Sequence, residues 1–315
     1  YMSRTETVRR PWYSEKSRAI NPDIMVSNPV AIATRVARVL LHVRRRRLQR
    51  PVHRLVSQVQ EERRAVVLER VVGEVRRVDL ETGRVIVAHG GPESHYSDGW
   101  LTTYSQWGHL LAARGIMSWY PNYRSSTGYG VAFCKHDHGD PMGKEFDDHL
   151  DAIAHFDKLG MIDRSRVGIG GGSYGGYTAA WAATRESKHF AAAVSFVPFV
   201  DMRTKWMTTD IPMEFYYVHY QEKWPWQQPE LLTDRSPLTW AQQCDTPLLL
   251  LGGTKDPRVH PSQPHMLYRA VSYATDTPVR YVQYTGEGPG TRMTVNRMDY
   301  TLRTLRRFEH YLLGA

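Results

Sequence analysis

The sequence predicts an α/β protein in which a doubly wound, mostly parallel sheet follows a basic N-terminal extension. Between residues 85 and 315, short apolar runs alternate with longer segments of helical character. Runs such as residues 247–251 (P-L-L-L-L) have no polar face, which is typical of strands covered on both faces. Strands and helices in alternation form parallel sheets with right-handed crossovers, and ligands bind beyond the carboxyl ends of the strands.

The bulk composition is that of a globular protein rather than a disordered or membrane-spanning one. The chain has 315 residues, of which 41% are hydrophobic and 23% are charged. No apolar run approaches the length of a transmembrane helix, so no membrane span is predicted. The two cysteines, Cys134 and Cys244, make no disulfide framework and suit a reducing compartment such as the cytoplasm. The sequence indicates no cofactor and leaves the oligomeric state open.

The positive charge is confined to the N-terminal quarter. Residues 1–84 hold 19 Lys and Arg against 9 Asp and Glu (net +10), whereas residues 85–315 hold 22 against 23 (net −1). We therefore expect no nucleic-acid partner for the main domain. Residues 1–74 form the basic extension, predicted to be helical or disordered, or the remnant of a truncated domain. Apolar residues at helical spacing favour a basic amphipathic helix over about 30–49, of a kind that binds anionic surfaces or nucleic acid.

The main domain is predicted to span residues 75–315 and to open with a hairpin. Val75, Arg77 and Asp79 alternate with their neighbours, residues 81–83 form a turn, and a second strand follows. Further strands and helices then alternate along the chain. The predicted strands lie near 85–89, 116–120, 166–170, 190–197, 246–252 and 279–284. The predicted helices lie near 99–114, 141–159, 174–186, 261–274 and 294–312.

Residues 167–177, V-G-I-G-G-G-S-Y-G-G-Y, are the most informative stretch of this domain. An apolar strand runs into glycines, then Ser173, then a helix of small residues, which is the G-x-S-x-G pattern of a nucleophile elbow. Small neighbours are needed because a serine on a sharp strand-to-helix turn has a strained backbone and tolerates no bulk beside it. The alternatives are a plain glycine-rich turn or a phosphate-binding loop, and the latter would require a lysine that is missing here.

Three further loops follow predicted strands. In His89-Gly90-Gly91-Pro92, the glycines can present backbone N–H groups to a substrate oxygen, although an ordinary turn has the same composition. Asp256, just past the apolar run at 246–252, is where a carboxylate that orients an imidazole would lie, although a turn or helix-capping role is the alternative. Residues 122–130 follow another strand and are expected to buttress the site.

With these loops, the chain resembles the prolyl oligopeptidase family of serine peptidases, and most closely its acylaminoacyl-peptidase and dipeptidyl-peptidase-like branch. The resemblance rests on H-G-G-P, P-N-Y-R-S-S-T-G-Y-G, G-G-G-S-Y-G-G-Y, D-P-R-V-H-P and G-E-G-P-G, and extends from about residue 85 to 313. It implies an α/β-hydrolase catalytic domain, which in this family usually follows a β-propeller. Residues 1–84 lack the regular glycine, aspartate and aromatic turns of propeller blades.

The resemblance also implies roles for individual residues. Ser173 matches the nucleophile and Asp256 the acid of the triad, while the N–H groups of Gly91 and Tyr174 match the oxyanion hole. Pro289 stands where the family has the triad histidine, and proline cannot accept or donate a proton. Losing that base in a comparable enzyme lowers turnover by about 10⁶, or roughly 8 kcal/mol. His260 is a weak candidate for a substitute base.

The expected function is hydrolysis of short peptides or acyl-peptides through an acyl-enzyme on Ser173. The alternatives are a catalytically impaired homologue that binds peptides, and a broad esterase. Trp206, Phe215 and Tyr216 lie in an aromatic segment that either lines an apolar substrate pocket or forms core packing. Residues 134–140 (C-K-H-D-H-G-D) contain metal-ligand side chains without a second cluster at suitable spacing, so a solvent loop is predicted and no metal site.

Overall fold

The computed structural model describes residues 83–97 and 107–315, which form an open six-stranded sheet with all strands parallel. The strands are β1 Arg84–Ala88, β2 Met117–Trp119, β3 Val167–Gly172, β4 Ala192–Phe196, β5 Leu248–Gly253 and β6 Val279–Tyr284. Their order across the sheet is β2-β1-β3-β4-β5-β6. In register, Ala88 of β1 lies opposite Gly171 of β3, and Leu251 of β5 lies opposite Val282 of β6.

The apolar character of the inner strands follows from two cores, one on each face of the sheet. Side chains alternate along β1, so that Ile86 joins one core and Val87 joins the other. Every residue of β1, β3, β4 and β5 is buried, which explains why these strands read as unbroken apolar or glycine runs. The predicted doubly wound α/β architecture is therefore confirmed.

Helices cover both faces of the sheet. The α-helices are α1 Gly108–Ala112, α2 Val131–Cys134, α3 Lys144–Lys158, α4 Tyr174–Thr184, α5 Met202–Thr208, α6 Pro212–Glu214, α7 Pro229–Asp234, α8 Ser262–Ala274 and α9 Thr294–Phe308. Tyr177 and Trp181 of α4 belong to one core, and Tyr300 and Phe308 of α9 belong to the other. Two π-helical turns, Phe215–His219 and Glu309–Leu313, extend α6 and α9. Short 3₁₀ turns occupy Arg164–Arg166, Ser187–His189, Pro225–Gln227 and Pro237–Gln243.

The strand order places a topological switch point between β1 and β3. The chain passes from β1 outward to the edge strand β2, returns to β3 on the other side of β1, and continues through β4 and β5 to β6. The loops leaving β1 and β3 therefore diverge from neighbouring strands and open a crevice between them, which is where such sheets bind ligands. The residues that follow β1 and β3 are His89 and Ser173.

Several predictions are corrected or fall beyond the described residues. The predicted hairpin partner of β1, near residues 75–80, and the helix over 30–49 lie outside the described residues, as does the domain boundary at 74/75. The hairpin is wrong for β1 itself, because β1 has parallel neighbours on both sides over Arg84–Ile86. Of the helix predicted at 99–114, the described part contains α1 at Gly108–Ala112. Among residues 83–97 and 107–315, no helix combines the length and apolarity that a membrane crossing requires.

Candidate active site

Ser173 sits at the sharp turn between β3 and α4, with φ 59° and ψ −118°. A non-glycine residue rarely adopts positive φ, and the strain persists because β3 and α4 fix the backbone on either side. The Ser173 side chain makes no capping hydrogen bond to α4, so the turn does not use its hydroxyl structurally. This geometry is that of a nucleophile elbow.

The glycines around Ser173 are required by close backbone packing. A side chain on Gly171 or Gly175 would collide with the carbonyl oxygen of Ala88 in β1, and one on Gly176 would collide with that of Phe196 in β4. A side chain on Gly90 would approach the Ser173 Cβ to 3.3 Å. The elbow and the loop after β1 are thus held in direct contact.

The two expected oxyanion donors line one cavity with Ser173. Gly91, at φ 127°, and Tyr174 both belong to its wall. Tyr174 is the first residue of α4, where backbone N–H groups have no partner within the helix. Its side chain is buried, and its hydroxyl donates to Glu145 Oε1 at 2.7 Å. An acyl oxygen bound in this cavity could therefore accept from backbone N–H groups of both loops.

The loop at 122–130 supports the loop after β1, as expected from the sequence. Tyr123 stacks on the His89 ring with centroids 4.3 Å apart and donates its hydroxyl to the His89 carbonyl at 2.8 Å. The His89 imidazole Nε2 lies 2.8 Å from Ser126 Oγ. Burial lowers the pKa of His89 to about 4, so this imidazole is neutral at neutral pH and serves as packing beneath Gly90 and Gly91.

Asp256 follows β5 and is buried, with 3% of its surface exposed. Its Oδ1 accepts two backbone hydrogen bonds, from Arg258 N and Val259 N, both at 2.8 Å. Its Oδ2 is buried and has no hydrogen-bond partner among the described residues. Burial raises the pKa of this carboxyl, and the two backbone donors oppose that rise. A buried carboxylate oxygen that is not satisfied by the protein is unusual and calls for a partner.

The loop that carries Pro289 is hydrogen-bonded to the loop that carries Asp256. Lys255 N donates to the Glu287 carbonyl at 2.8 Å, and Gly286 N donates to Thr254 Oγ1 at 2.8 Å. The buried Glu287 carboxylate accepts from Arg292 N and Met293 N, which fixes the far end of the loop. Pro289 itself is exposed.

His260, the candidate substitute base, is exposed and outside the cavity wall. Its Nδ1 lies 2.9 Å from Ser262 Oγ and accepts from Ser262 N at 3.3 Å. These contacts give His260 a local role in its own loop. His219 is the histidine that does line the cavity, and the sequence pattern gave no reason to select it.

The cavity beside Ser173 has a volume of about 210 Å³. Of the three aromatic residues expected in a pocket, Phe215 lines it, whereas Trp206 and Tyr216 do not. Trp206 is buried and stacks on Tyr220 with centroids 4.8 Å apart, and Tyr216 stacks on Trp224 at 4.4 Å. The aromatic side chains of this segment are therefore divided between the cavity wall and packing against one another.

Lys205 is a cavity residue that sequence reasoning missed. It is 2% exposed, its Nζ donates to Thr209 Oγ1 at 3.0 Å and to the Arg258 carbonyl, and it lies over the Phe215 ring. Burial lowers its pKa to about 8, and the positive charge of Arg258 adds to that effect. A lysine as the fourth residue of α5 carries no distinctive sequence signal, because only the fold turns it toward the cavity.

The parallel six-stranded sheet, with a strained serine between a buried strand and a helix, defines the class of protein: an α/β hydrolase with a nucleophile elbow. Residues 102–314 match the model of the prolyl oligopeptidase family. The chain belongs to that family.

Known relatives agree with this assignment. Dipeptidyl aminopeptidase BIII of Pseudoxanthomonas mexicana is 34% identical over 243 residues, which cover 72% of this chain and 33% of the relative. The crystal structure of a puromycin hydrolase superposes with a TM-score of 0.68 at 28% identity, covering 74% of this chain and 34% of that one. The acylaminoacyl peptidase of Pyrococcus horikoshii gives 0.68 at 28% identity, covering 75% and 38%. The chain thus spans about a third of the length of these relatives.

Proposed function

We propose that this chain binds short peptides or acyl-peptides at Ser173 and, with Pro289 in place of a histidine, cleaves their amide bonds very slowly. Ser173 is the nucleophile, Asp256 the acid, and the N–H groups of Gly91 and Tyr174 form the oxyanion hole. Pro289 occupies the position of the base, so proton transfer from Ser173 lacks its acceptor. Peptide substrates are supported by the names of the relatives, which are aminopeptidases and acylaminoacyl peptidases.

The single observation that carries this proposal is the orphan oxygen of Asp256. In a triad, one carboxylate oxygen accepts from backbone groups and the other accepts from the imidazole N–H. Here Oδ1 has its two backbone donors and Oδ2 is buried without a hydrogen-bond partner among the described residues. This arrangement supports a carboxylate that orients an imidazole, and the loop hydrogen-bonded to Thr254 and Lys255 carries Pro289 instead.

The size of the defect follows from the part that is missing. Without the base, turnover falls by about 10⁶, whereas an oxyanion hole and substrate binding retain on the order of 10³–10⁴ over the reaction in water. The cavity wall combines Phe199 and Phe215 with the charged Lys205 and Glu214, which suits a small peptide with an apolar side chain. Affinity for peptides is therefore expected to survive when turnover does not.

The test compares the chain with its Pro289→His variant, with Ser173→Ala introduced into each as a matched control. We expect Pro289→His to raise kcat/KM for a peptide amide by at least about 10³, with little change in KM. Labelling of Ser173 by a fluorophosphonate probe should rise in parallel and disappear in both serine variants. Amide turnover by the original chain equal to that of Pro289→His would contradict the proposal and point to another base.

An esterase activity is the second candidate, supported by the intact elbow and the two oxyanion donors. An activated ester has a good leaving group, so its hydrolysis needs less help from a general acid. We expect the original chain to hydrolyse a nitrophenyl ester measurably and a peptide amide far more slowly. If both substrates are inert, and Ser173→Ala changes neither, the peptide-binding role alone remains.

A further inference from the structure

A second group of ionisable side chains lies beside the cavity and takes no part in the proposed reaction. Glu93 follows the oxyanion loop two residues after Gly91, and Asp137 and His138 lie in the turn between α2 and α3. His219 ends the π-helical turn and also lines the cavity. One ligand atom from each of Glu93, Asp137 and His138 lies within 4.8 Å of the other two. We propose that these residues, joined by His219, bind a Zn²⁺ ion.

The separations between the side-chain atoms suit a tetrahedral ion. His138 Nε2 lies 3.1 Å from Glu93 Oε1, and His219 Nδ1 lies 3.4 Å from Asp137 Oδ2 and 3.7 Å from Glu93 Oε1. Tetrahedral Zn²⁺ with ligand bonds of about 2.0–2.1 Å separates its ligand atoms by about 3.3–3.4 Å. These three separations bracket that value. His219 lies outside the group of ligand atoms that are all within 4.8 Å of one another, so its side chain would have to shift to complete the set.

The burial of Asp137 is the independent sign that a cation belongs here. This carboxylate is fully buried, and neither of its oxygens has a hydrogen-bond partner among the described residues. His219 Nδ1 is likewise buried and makes no hydrogen bond of acceptable geometry. Buried polar atoms are nearly always satisfied, and a metal ion would satisfy both at once.

The donor set selects the kind of metal. Two imidazoles and two carboxylates are typical ligands of Zn²⁺, whereas Mg²⁺ and Ca²⁺ prefer sites made of oxygen atoms alone. The side chains of Glu93 and His138 are 24% and 15% exposed, so an ion can enter from solvent. Sequence spacing could not reveal this site, because Glu93 lies 44 residues before Asp137 and His219 lies 82 residues after it.

The alternative is a metal-free site in which His219 carries a proton. Burial lowers the pKa of His219, but Asp137 and Glu214 outweigh burial and raise it to about 9. His219 Nε2 is then 3.6 Å from Glu214 Oε1, which completes a network of charges. The two accounts differ in one measurable respect, since only the metal site binds Zn²⁺ with the affinity and stoichiometry of a built site.

Zinc at this position would join three segments that form the wall of the active-site cavity. Glu93 belongs to the segment that supplies Gly91, and His219 belongs to the segment that supplies Phe215. Asp137 and His138 belong to the third segment, which supplies Pro141. The ion would therefore hold an oxyanion donor and an aromatic wall residue in fixed relation. Its role would be structural, and its detection requires no catalytic activity.

The test is zinc titration of the full chain after treatment with a chelator, read by calorimetry and by thermal unfolding. We expect one Zn²⁺ per chain to bind with a dissociation constant below about 1 μM and to raise Tm, which reports linkage between binding and folding. Mg²⁺ at the same concentration should leave Tm unchanged. His138→Ala and Glu93→Gln should each weaken binding at least tenfold, whereas His136→Ala, an exposed neighbour, should not.

Three results would overturn the assignment. The first is that no Zn²⁺ ion binds the chain in a saturable way. The second is that His136→Ala and His138→Ala weaken zinc binding equally. The third is that Cys134→Ser abolishes zinc binding, which would mean that the ion has other ligands than those proposed. Asp137→Asn is the most direct variant but alters a buried group and can fail to fold. His138→Ala and Glu93→Gln change partly exposed side chains, and circular dichroism of their metal-free forms verifies that loss of zinc is not loss of fold.

Discussion

At the scale of single residues, the site depends on one strained backbone and one unsatisfied carboxylate. Ser173 adopts dihedral angles that glycine accepts readily and other residues do not. Asp256 keeps a buried oxygen without a hydrogen-bond partner among the described residues. Both features cost stability, and both are explained if the surroundings are built for attack on a bound substrate.

The strain at Ser173 predicts that removing the Cβ atom stabilises the protein. The free energy of unfolding of Ser173→Gly should exceed that of Ser173→Ala by about 1 kcal/mol, because the Cβ atom of alanine retains the clash at positive φ that glycine lacks. Urea denaturation of the two variants measures the difference, and neither retains the hydroxyl, so chemistry does not enter. Equal stabilities would mean that the turn is relaxed around Ser173.

A second prediction at this scale concerns the buried Glu145. Burial raises its pKa to about 7, while hydrogen bonds from Tyr174 and the backbone oppose the rise. Between its unfolded pKa near 4.5 and about 7, the folded protein holds a proton that the unfolded chain has lost, so this group's contribution to stability falls as pH rises through that window.

Glu145→Gln removes this titration, and the amide oxygen of glutamine can replace the carboxyl oxygen that accepts from the Tyr174 hydroxyl. The variant's stability relative to the original chain should therefore increase between pH 5 and pH 8, by about 3 kcal/mol for a shift of this size. Parallel urea titrations at the two pH values check it, and other titrating groups cancel in the difference. A pH-independent difference would show that Glu145 is ionised throughout the range.

At the scale of elements, α4 approaches the sheet closely because its first turn contains two glycines, Gly175 and Gly176. A Cβ atom on Gly175 would meet the carbonyl oxygens of Ala88 and His89, and one on Gly176 would meet that of Phe196. This contact brings Ser173 to the crevice between β1 and β3, where the loop carrying Gly91 begins. The composition of the elbow is therefore determined by helix–strand distance as well as by the serine's own conformation.

Gly175→Ala should consequently be severe. A methyl group there would push α4 away from β1, and we expect a loss of about 3 kcal/mol in the free energy of unfolding. Gly252→Ala is the matched control, since a Cβ atom on that buried strand glycine meets only Pro264 Cγ, at 3.4 Å. Similar losses in the two variants, measured by thermal or urea unfolding, would contradict the close-packing argument.

At the scale of the whole molecule, charge is divided sharply along the chain. Residues 1–84 have a net charge of +10, and residues 85–315, which include the entire candidate site, have a net charge of −1. Attraction to polyanions should therefore come from the N-terminal part and not from the hydrolase fold.

Replacing residues 44–47, four consecutive arginines, with glutamine should make the full chain elute from a heparin column at clearly lower salt. The effect follows from losing four cations in one short stretch. The control replaces four dispersed cations, Lys135, Lys144, Lys188 and Arg269, with glutamine and removes the same total charge. Equal shifts for the two variants would mean that net charge, rather than its clustering, governs retention.

Much of the fold was predictable because its signals are local. All six predicted strands lie within two residues of the observed bounds at both ends, and α4 begins at Tyr174 as predicted. The hairpin at β1 was wrong because alternation in sequence does not reveal which strand will pair. Of the aromatic residues expected in the pocket, only the fold distinguished Phe215 from Trp206 and Tyr216.

Reading the residues alone was enough to predict the α/β class, the elbow at Ser173, the position of Asp256 after a buried strand, and the proline where a histidine is expected. These are properties of short segments, in which residue type and order suffice. The folded chain was needed to show that β1 lies between β2 and β3, that Lys205 enters the cavity, and that Glu93, Asp137, His138 and His219 converge. Such meetings depend on contacts between residues far apart in the chain, which local spacing does not encode.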